Sequence, residues 1–333
     1  MNKNLVLLAT LLALSLPITG CNKSGKLAEH STFKTPSGPV ELKMKWPVGE
    51  RIEQDMDMKT TMEITIPGQP APMKQDMTMG QAYGLTVLSA SPEGGHEVEM
   101  DFLSARMGMK SGDKTMIDYD STKKAAPDKP DPAAEVFSKI VGSKIQYFLD
   151  ASNSVDHIEG VDDLMNKLSS GGDAAATAAI KSMFSEGYFK QMMSANLFLP
   201  PNAVQPGDTW PVRFELPLSA YGTMVLEYTF TLQGWEMHGP RNCARLDFTG
   251  TIVTKPDPAA KPGALTISIL EGTSTGVCWF DPELGIIIDT TMNQDMKMVM
   301  NMPLPGKPGA APRMQNITSQ MSQAMTIKLA SVK

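Results

Sequence analysis

The residues with the most chemistry to offer are sulfur-bearing. The chain has 26 methionines in 333 residues, with only three cysteines and four histidines. In "NQDMKMVMNM" the thioethers of Met296, Met298, Met300 and Met302 recur at every second position, the period of a strand, so they share one sheet face. Met56, Met58, Met62, Met77 and Met79 follow the same alternation near the start of the chain, and Met292, Met321 and Met325 near its end. Three uses fit such a face. Flexible side chains can fill an irregular core. They can also wall a groove for an apolar small molecule, a lipid or an acyl chain, adapting to its shape. Thioethers are, third, soft ligands for copper(I), but successive side chains on one strand stand about 6.7 Å apart, so a chelate needs a neighbouring strand. Candidate registers set Met62 opposite Met77, Met296 opposite Met321 and Met292 opposite Met325. A structural or protein-interaction role shares the features of core filling and stays open, with its partners unknown.

Cys243 and Cys278 form the other sulfur pair. If their strands make a hairpin in which the two face each other, a disulfide fits the Cα spacing of a non-hydrogen-bonded pair. Two unpaired thiols is the equal alternative. His30, His96, His157 and His238 are scattered through loop-like sequence without metal-ligand spacing, and Asp162 and Asp163 suit the first turn of a helix. There is no glycine-rich phosphate loop, nucleophile elbow or Cys–His arrangement. No catalytic residue, metal site or cofactor is expected, and the chain is read as a non-enzyme.

The elements that would position these side chains are strands. Apolar and polar residues alternate over 56–66, 76–87 and 98–102, then again from about 209 in "TMVLEYTFTLQGW", "NCARLDFTGTI" and the long segments 264–280, 284–302 and 314–329. The fold class is therefore mainly β. Long antiparallel strands form a curved sheet or two related halves, with a small helical insertion between. "VGERIEQ" at 48–54 parallels "PGDTWPV" at 206–212, and the segment from Tyr83 parallels that from Tyr228, as in a duplicated unit. In the insertion, Asp131 before Pro132 starts a helix, Val136, Phe137, Ile140 and Val141 make an apolar stripe ended by Gly142, and "YFLDASNSVDHIEGVDDL" reads as a hairpin and helix. Ile180, Met183, Phe184, Phe189, Met192 and Met193 suggest further amphipathic helix.

At the N-terminus, "MNKNLVLLATLLALSLPITGC" has one lysine and an apolar run too short to span a bilayer comfortably, hence a signal h-region. "ITGC" resembles the lipobox of bacterial lipoproteins. That resemblance implies cleavage after Gly20, lipidation of Cys21 and stable attachment to a membrane of the cell envelope. Asn22 in place of aspartate favours the outer over the inner membrane on the same analogy. Residues 1–20 are then signal peptide, 21–39 a flexible tether, 40–120 the first β half, 121–205 the helical insertion with its linkers, and 206–333 the second half. The net charge of −6, or −7 once Lys3 is lost, opposes nucleic acid as a partner.

The order of lipobox, methionine-alternating strands, helical middle, "PGDTW" and "WFDPELGIIIDTTMNQDMKMVM" is similar to an uncharacterised family of bacterial envelope lipoproteins. More distantly, a lipoprotein built as one sheet with helices against it resembles the LolA and LolB class of lipoprotein carriers, at the level of fold only.

Overall fold

The computed structural model describes residues 27, 29–123, 138–169, 186–193, 198–217, 222–256, 266–304 and 313–333. The signal peptide, Cys21, the helix start at Asp131, the stripe residues Val136 and Phe137, and Ile180, Met183 and Phe184 lie outside the described residues.

Alternation yields strands wherever it was expected. β1 (Arg51–Thr65), β2 (Met73–Ala90) and β3 (His96–Ser111) form a meander, followed by β4 (Lys114–Asp120), β5 (Lys144–Leu149) and β6 (Val155–Glu159). After α1 (Val161–Ser169) and α2 (Glu186–Met192) come β7 (Thr209–Pro217), β8 (Thr223–His238), β9 (Arg241–Lys255), β10 (Thr266–Asp281), β11 (Ile286–Leu304) and β12 (Arg313–Val332). All twelve belong to one open antiparallel sheet, in the order β6-β5-β3-β2-β1-β12-β11-β10-β9-β8-β7, with β4 also on β3. The first and last strands pair at its middle. The hairpin and helix expected after residue 146 are β5, β6 and α1, with Asp162 and Asp163 in the first turn. Ile140 is fully buried, and Gly142, at φ +77, turns the chain away after it.

The two meanders begin alike. Gly49 and Gly207 both have positive φ (84 and 95), a conformation in which a Cβ would be strained. The Gly49 N–H donates to the Val87 carbonyl and the Val87 N–H to Glu50, just as Gly207 donates to Leu232 and Leu232 to Asp208. Bulges follow at Val87/Ser89 and Leu232/Gly234. These are the equivalences suggested by the two sequence parallels.

On the outer face, arginines tie three strands together. Arg51 on β1 reaches Asp101 on β3 with two bonds of 2.8 and 2.9 Å, and Arg106 on β3 reaches Asp57 on β1 at 2.7 Å. Each crosses a glycine of β2. A Cβ on Gly84 would stand 2.2 Å from the Arg51 guanidinium, and one on Gly80 2.7 Å from that of Arg106.

The N-terminal segment corrects the tether. From Glu29 on it is fastened to the sheet. Arg241 and Asp281, both buried, form an ion pair at 2.5 Å, and Arg241 also holds Glu283 at 2.8 Å. Glu283 accepts from the hydroxyls of Ser31 (2.9 Å) and Thr32 (2.5 Å), while Asn242 donates to the Phe33 carbonyl and the Phe33 ring lies 5.1 Å from that of Trp235. Further along, Val40 bridges to Val204 and Leu42 is buried in the core. Flexible composition did not reveal this because every partner lies about two hundred residues away.

Candidate functional site

The four strands β2, β1, β12 and β11 are neighbours, and they bring the expected methionine face together. Met58 stands opposite Met325 on one side and Met79 on the other; Met325 faces Met292, and Met79 faces Met107. Five methionines on five adjacent strands thus form one transverse row. A shorter row runs Met62, Met321, Met296. Met56, Met298, Met300 and Met302 extend the same face along β1 and β11.

Two expectations are corrected here. Met62 faces Gln75, not Met77, because the β1–β2 register is displaced by two residues; Met77 faces Thr60. The face is also not an open groove. Ten of the twelve expected methionines are buried, with Met79 and Met302 partly so.

Between the methionine rows runs a polar one, which the count of apolar matches passed over. Thr60 faces Gln323, Gln323 faces Gln294, and Gln294 faces Ser274. Every one of these is at most 3 % exposed. The signal was in the sequence: "MKTTM" at 58–62, "MKQDM" at 73–77, "MNQDM" at 292–296 and "MSQAM" at 321–325 each hold a Thr or Gln between two methionines on the same parity. In β1, β11 and β12 the central residues align across the sheet; in β2, Gln75 sits one step along, beside Met62.

Some of this polarity is satisfied. Gln294 Nε2 donates to the Tyr228 hydroxyl and to Met292 Sδ, both at 3.5 Å, and Gln323 Nε2 donates to Met58 Sδ. Burial pushes the Tyr228 phenol up, so it is a neutral hydroxyl. Three atoms on β1, β2 and β12 are not satisfied among the described residues, Thr60 Oγ1, Gln75 Nε2 and Gln323 Oε1, and a fourth, Ser274 Oγ, stands at the β10 end of the row beside the Tyr228 phenol. Among the described residues no charged side chain shares this face on β1, β2 or β11, nor on β12 from Gln315 to Leu329; Arg313 holds the same parity at the start of β12, opposite Leu304.

Toward β7, β8 and β9 the same core is built of aromatic rings, in one cluster with Met56, Met292, Met296, Met321 and Met325. Phe230 lies 6.0 Å from Trp210 and 5.0 Å from Phe248, and Tyr228 meets Phe248 edge-on at 5.6 Å. Trp210 Nε1 donates to the Phe198 carbonyl at 2.9 Å. Gly276 leaves room for the Phe248 ring, whose tip a Cβ would approach to 2.3 Å. This is closed aromatic core.

The cysteine pairing is corrected as well. Cys278 faces Leu246, three residues from the expected register, and an odd displacement turns Cys243 to the opposite face of β9. Both thiols are free and buried in different clusters. Burial pushes each up to about 12, so neither is a nucleophile at neutral pH. The histidines are less loop-like than expected. His238 contacts Asp289 at 3.0 Å and stacks on Trp279, and His157 stacks on Phe148. Among the described residues no group of three His, Cys, Asp or Glu side chains could hold a metal ion. A cleft of about 500 Å³ is lined by Lys59, Arg106 and Asp118 of the outer face together with Met58, Met79 and Met107 of the transverse row.

No curated protein matches the chain. Among solved structures, lipovitellin, described for its lipid–protein interactions, is similar over 87 % of this chain at 9 % identity and a TM-score of 0.45, but this chain spans only 26 % of that one. A putative exported protein with a YmcC-like fold from Bacteroides fragilis is similar over 88 % of this chain and 100 % of its own, at 11 % identity and a TM-score of 0.25. A putative outer membrane lipoprotein-sorting protein domain from Vibrio parahaemolyticus covers 83 % of this chain and 84 % of its own, at 10 % identity and a TM-score of 0.12. A family model matches residues 93–287, more than half of the chain, which therefore belongs to DUF6263, a family of unknown function.

Proposed function

We propose that the protein is a non-catalytic, lipid-anchored lipoprotein of the bacterial cell envelope that takes up an apolar ligand, a lipid or acyl chain, against the methionine face of β2, β1, β12 and β11. One observation carries the binding reading. Three buried polar atoms on the adjacent strands β2, β1 and β12 stand unpaired in a field of flexible thioethers. Each unpaired buried group costs about 1–3 kcal/mol, so the three together cost an amount comparable to the whole stability of many domains. A permanent core has no reason to keep that cost when Val or Leu would remove it. A face that opens to admit a ligand does. Methionine suits it because an unbranched side chain repacks easily.

The anchor rests on "ITGC" alone: Cys21→Ser should move the protein from the membrane fraction to the soluble one. Binding is tested by titrating the full Cys21→Ser chain with an alkyl-pyrene hydrocarbon. Saturable binding is expected, weakened by Met58→Ala or Met325→Ala but not by Phe230→Leu on the aromatic side. A parent chain without saturable binding overturns the reading.

A second reading is supported by the row Met292, Met325, Met58, Met79, Met107. Cross-strand neighbours supply the convergence that a single strand cannot, and three thioethers suit copper(I). Copper(I) titration decides it: tight binding lost on Met58→Leu favours the metal, and absence of binding removes it.

A further inference from the structure

Resting on that binding reading, we infer that the ligand carries a neutral group that both donates and accepts hydrogen bonds, an acyl amide, and that Thr60, Gln75 and Gln323 are the residues that receive it. The three unpaired atoms are complementary in kind. Gln323 Oε1 accepts only, Gln75 Nε2 donates only, and the Thr60 hydroxyl does either. Thr60 and Gln323 are directly opposed on β1 and β12, and Gln75 is opposite Met62, next to Thr60 along the same face. An amide fits this set. Its N–H satisfies Gln323 Oε1, and its carbonyl accepts from Thr60 or Gln75. An ester has no donor for Gln323, and a hydrocarbon satisfies none of the three.

Charge sharpens the class. Beside Thr60, Gln75 and Gln323 no basic side chain shares this face among the described residues, Arg313 holding the same parity only at the start of β12, opposite Leu304, so a carboxylate or phosphate placed here would be desolvated without a counter-charge. The Tyr228 phenol, held neutral by burial, adds no charge at the end of the row. The methionine rows on either side then cover the chain extending from the amide. The receptor is thus selective for a neutral amide within an apolar body, and it rejects a free fatty acid.

The experiment uses the full Cys21→Ser chain and four pyrene-labelled probes of equal length: an N-methyl acyl amide, a methyl ester, the free acid and the hydrocarbon. The amide should bind about tenfold more tightly than the hydrocarbon, the ester in between, and the acid more weakly than the ester. Gln323→Leu should remove the amide preference and Thr60→Val should reduce it severalfold, each read as the ratio of amide to hydrocarbon affinity in the same variant. Thr60→Val keeps the side-chain shape, so it decides the matter if Gln323→Leu fails to fold. Equal affinity for amide and hydrocarbon in the parent chain, or an acid that binds as well as the amide, overturns the inference while leaving the apolar site standing. Absence of hydrocarbon binding removes the site itself. Displacement of the amide probe by an N-acylated lipopeptide or by an N-acylated membrane lipid separates the two sources of such a group.

Discussion

Replacing Thr60 by valine should make the ligand-free protein more stable. Thr60 is 2 % exposed, and its Oγ1 has no partner among the described residues. It sits between Met58 and Met62 on its own strand and faces Met77 and Gln323 across the ladder. The substitution exchanges a hydroxyl for a methyl of nearly the same shape and leaves the backbone pairing of β1 intact. Removing an unsatisfied buried hydroxyl recovers about 1–3 kcal/mol, and valine is at least as good a strand former. Urea denaturation of the full Cys21→Ser chain should show a raised midpoint with an unchanged slope. Gln294→Leu provides the opposed control. It removes two hydrogen bonds, to Tyr228 and Met292, and leaves the phenol buried without this donor, so it should destabilise by about 1–3 kcal/mol. Opposite signs at Thr60 and Gln294, which flank Gln323 in the row, are the signature of a seam that is hydrogen-bonded at Gln294 and open at Thr60. A loss of more than about 1 kcal/mol in Thr60→Val would show that the hydroxyl is engaged in the empty protein, and would refute the reasoning.

Two further outcomes follow from the corrected contacts. Cys243 and Cys278 should both resist alkylation at pH 8 in the native protein, react once it is unfolded, and yield no linked peptide under non-reducing conditions; rapid native labelling of either would contradict their burial and raised thiol values. Glu283 is held below the ordinary glutamate range, chiefly by the Thr32 hydroxyl and also by Ser31 and Arg241, with desolvation opposing. Its contribution to fastening the N-terminal segment is therefore complete above the unfolded glutamate value and lost as pH falls through the lowered folded one. Proteolysis of residues 29–40 should accelerate in that acid window, and Glu283→Gln should show the faster cleavage already at pH 7; equal rates in parent and variant would count against the clip.

How much was legible depended on register more than on element type. Strands, hairpin and the first helix followed from periodicity. The β11–β12 pairing was found correctly because methionines recur on both strands at matching positions, Met292 with Met325 and Met296 with Met321. Across β1 and β2 the chosen pairing slipped by two, which preserves the face but exchanges partners, so Met62 lost Met77 and met Gln75. Across β9 and β10 it slipped by three. An odd slip changes faces, and that alone dissolved the Cys243–Cys278 bridge. The Arg241–Asp281–Glu283 cluster could not be read at all, since its meaning lies in a segment some 250 residues earlier.

The polar seam was hidden for another reason. Scoring a strand by its apolar alternation treats Thr60, Gln294 and Gln323 as interruptions of a methionine pattern, whereas the repeated Met-x-Thr/Gln-x-Met unit is itself the pattern. A single polar residue on a buried face is an accident that one neighbour can repair. Gln294 is repaired in that way, through Tyr228 and Met292. Alignment of Thr60, Gln323 and Gln294 on three adjacent strands is different, because the registers make them contiguous and the repair stops partway along the row. Packing on the aromatic side shows that this sheet can build a closed interior where one is wanted: Trp210 finds a carbonyl for its N–H, and Gly276 makes room for Phe248. The proposed recognition rests on the atoms that this repair leaves unpaired, and their donors and acceptors define the amide proposed as its target.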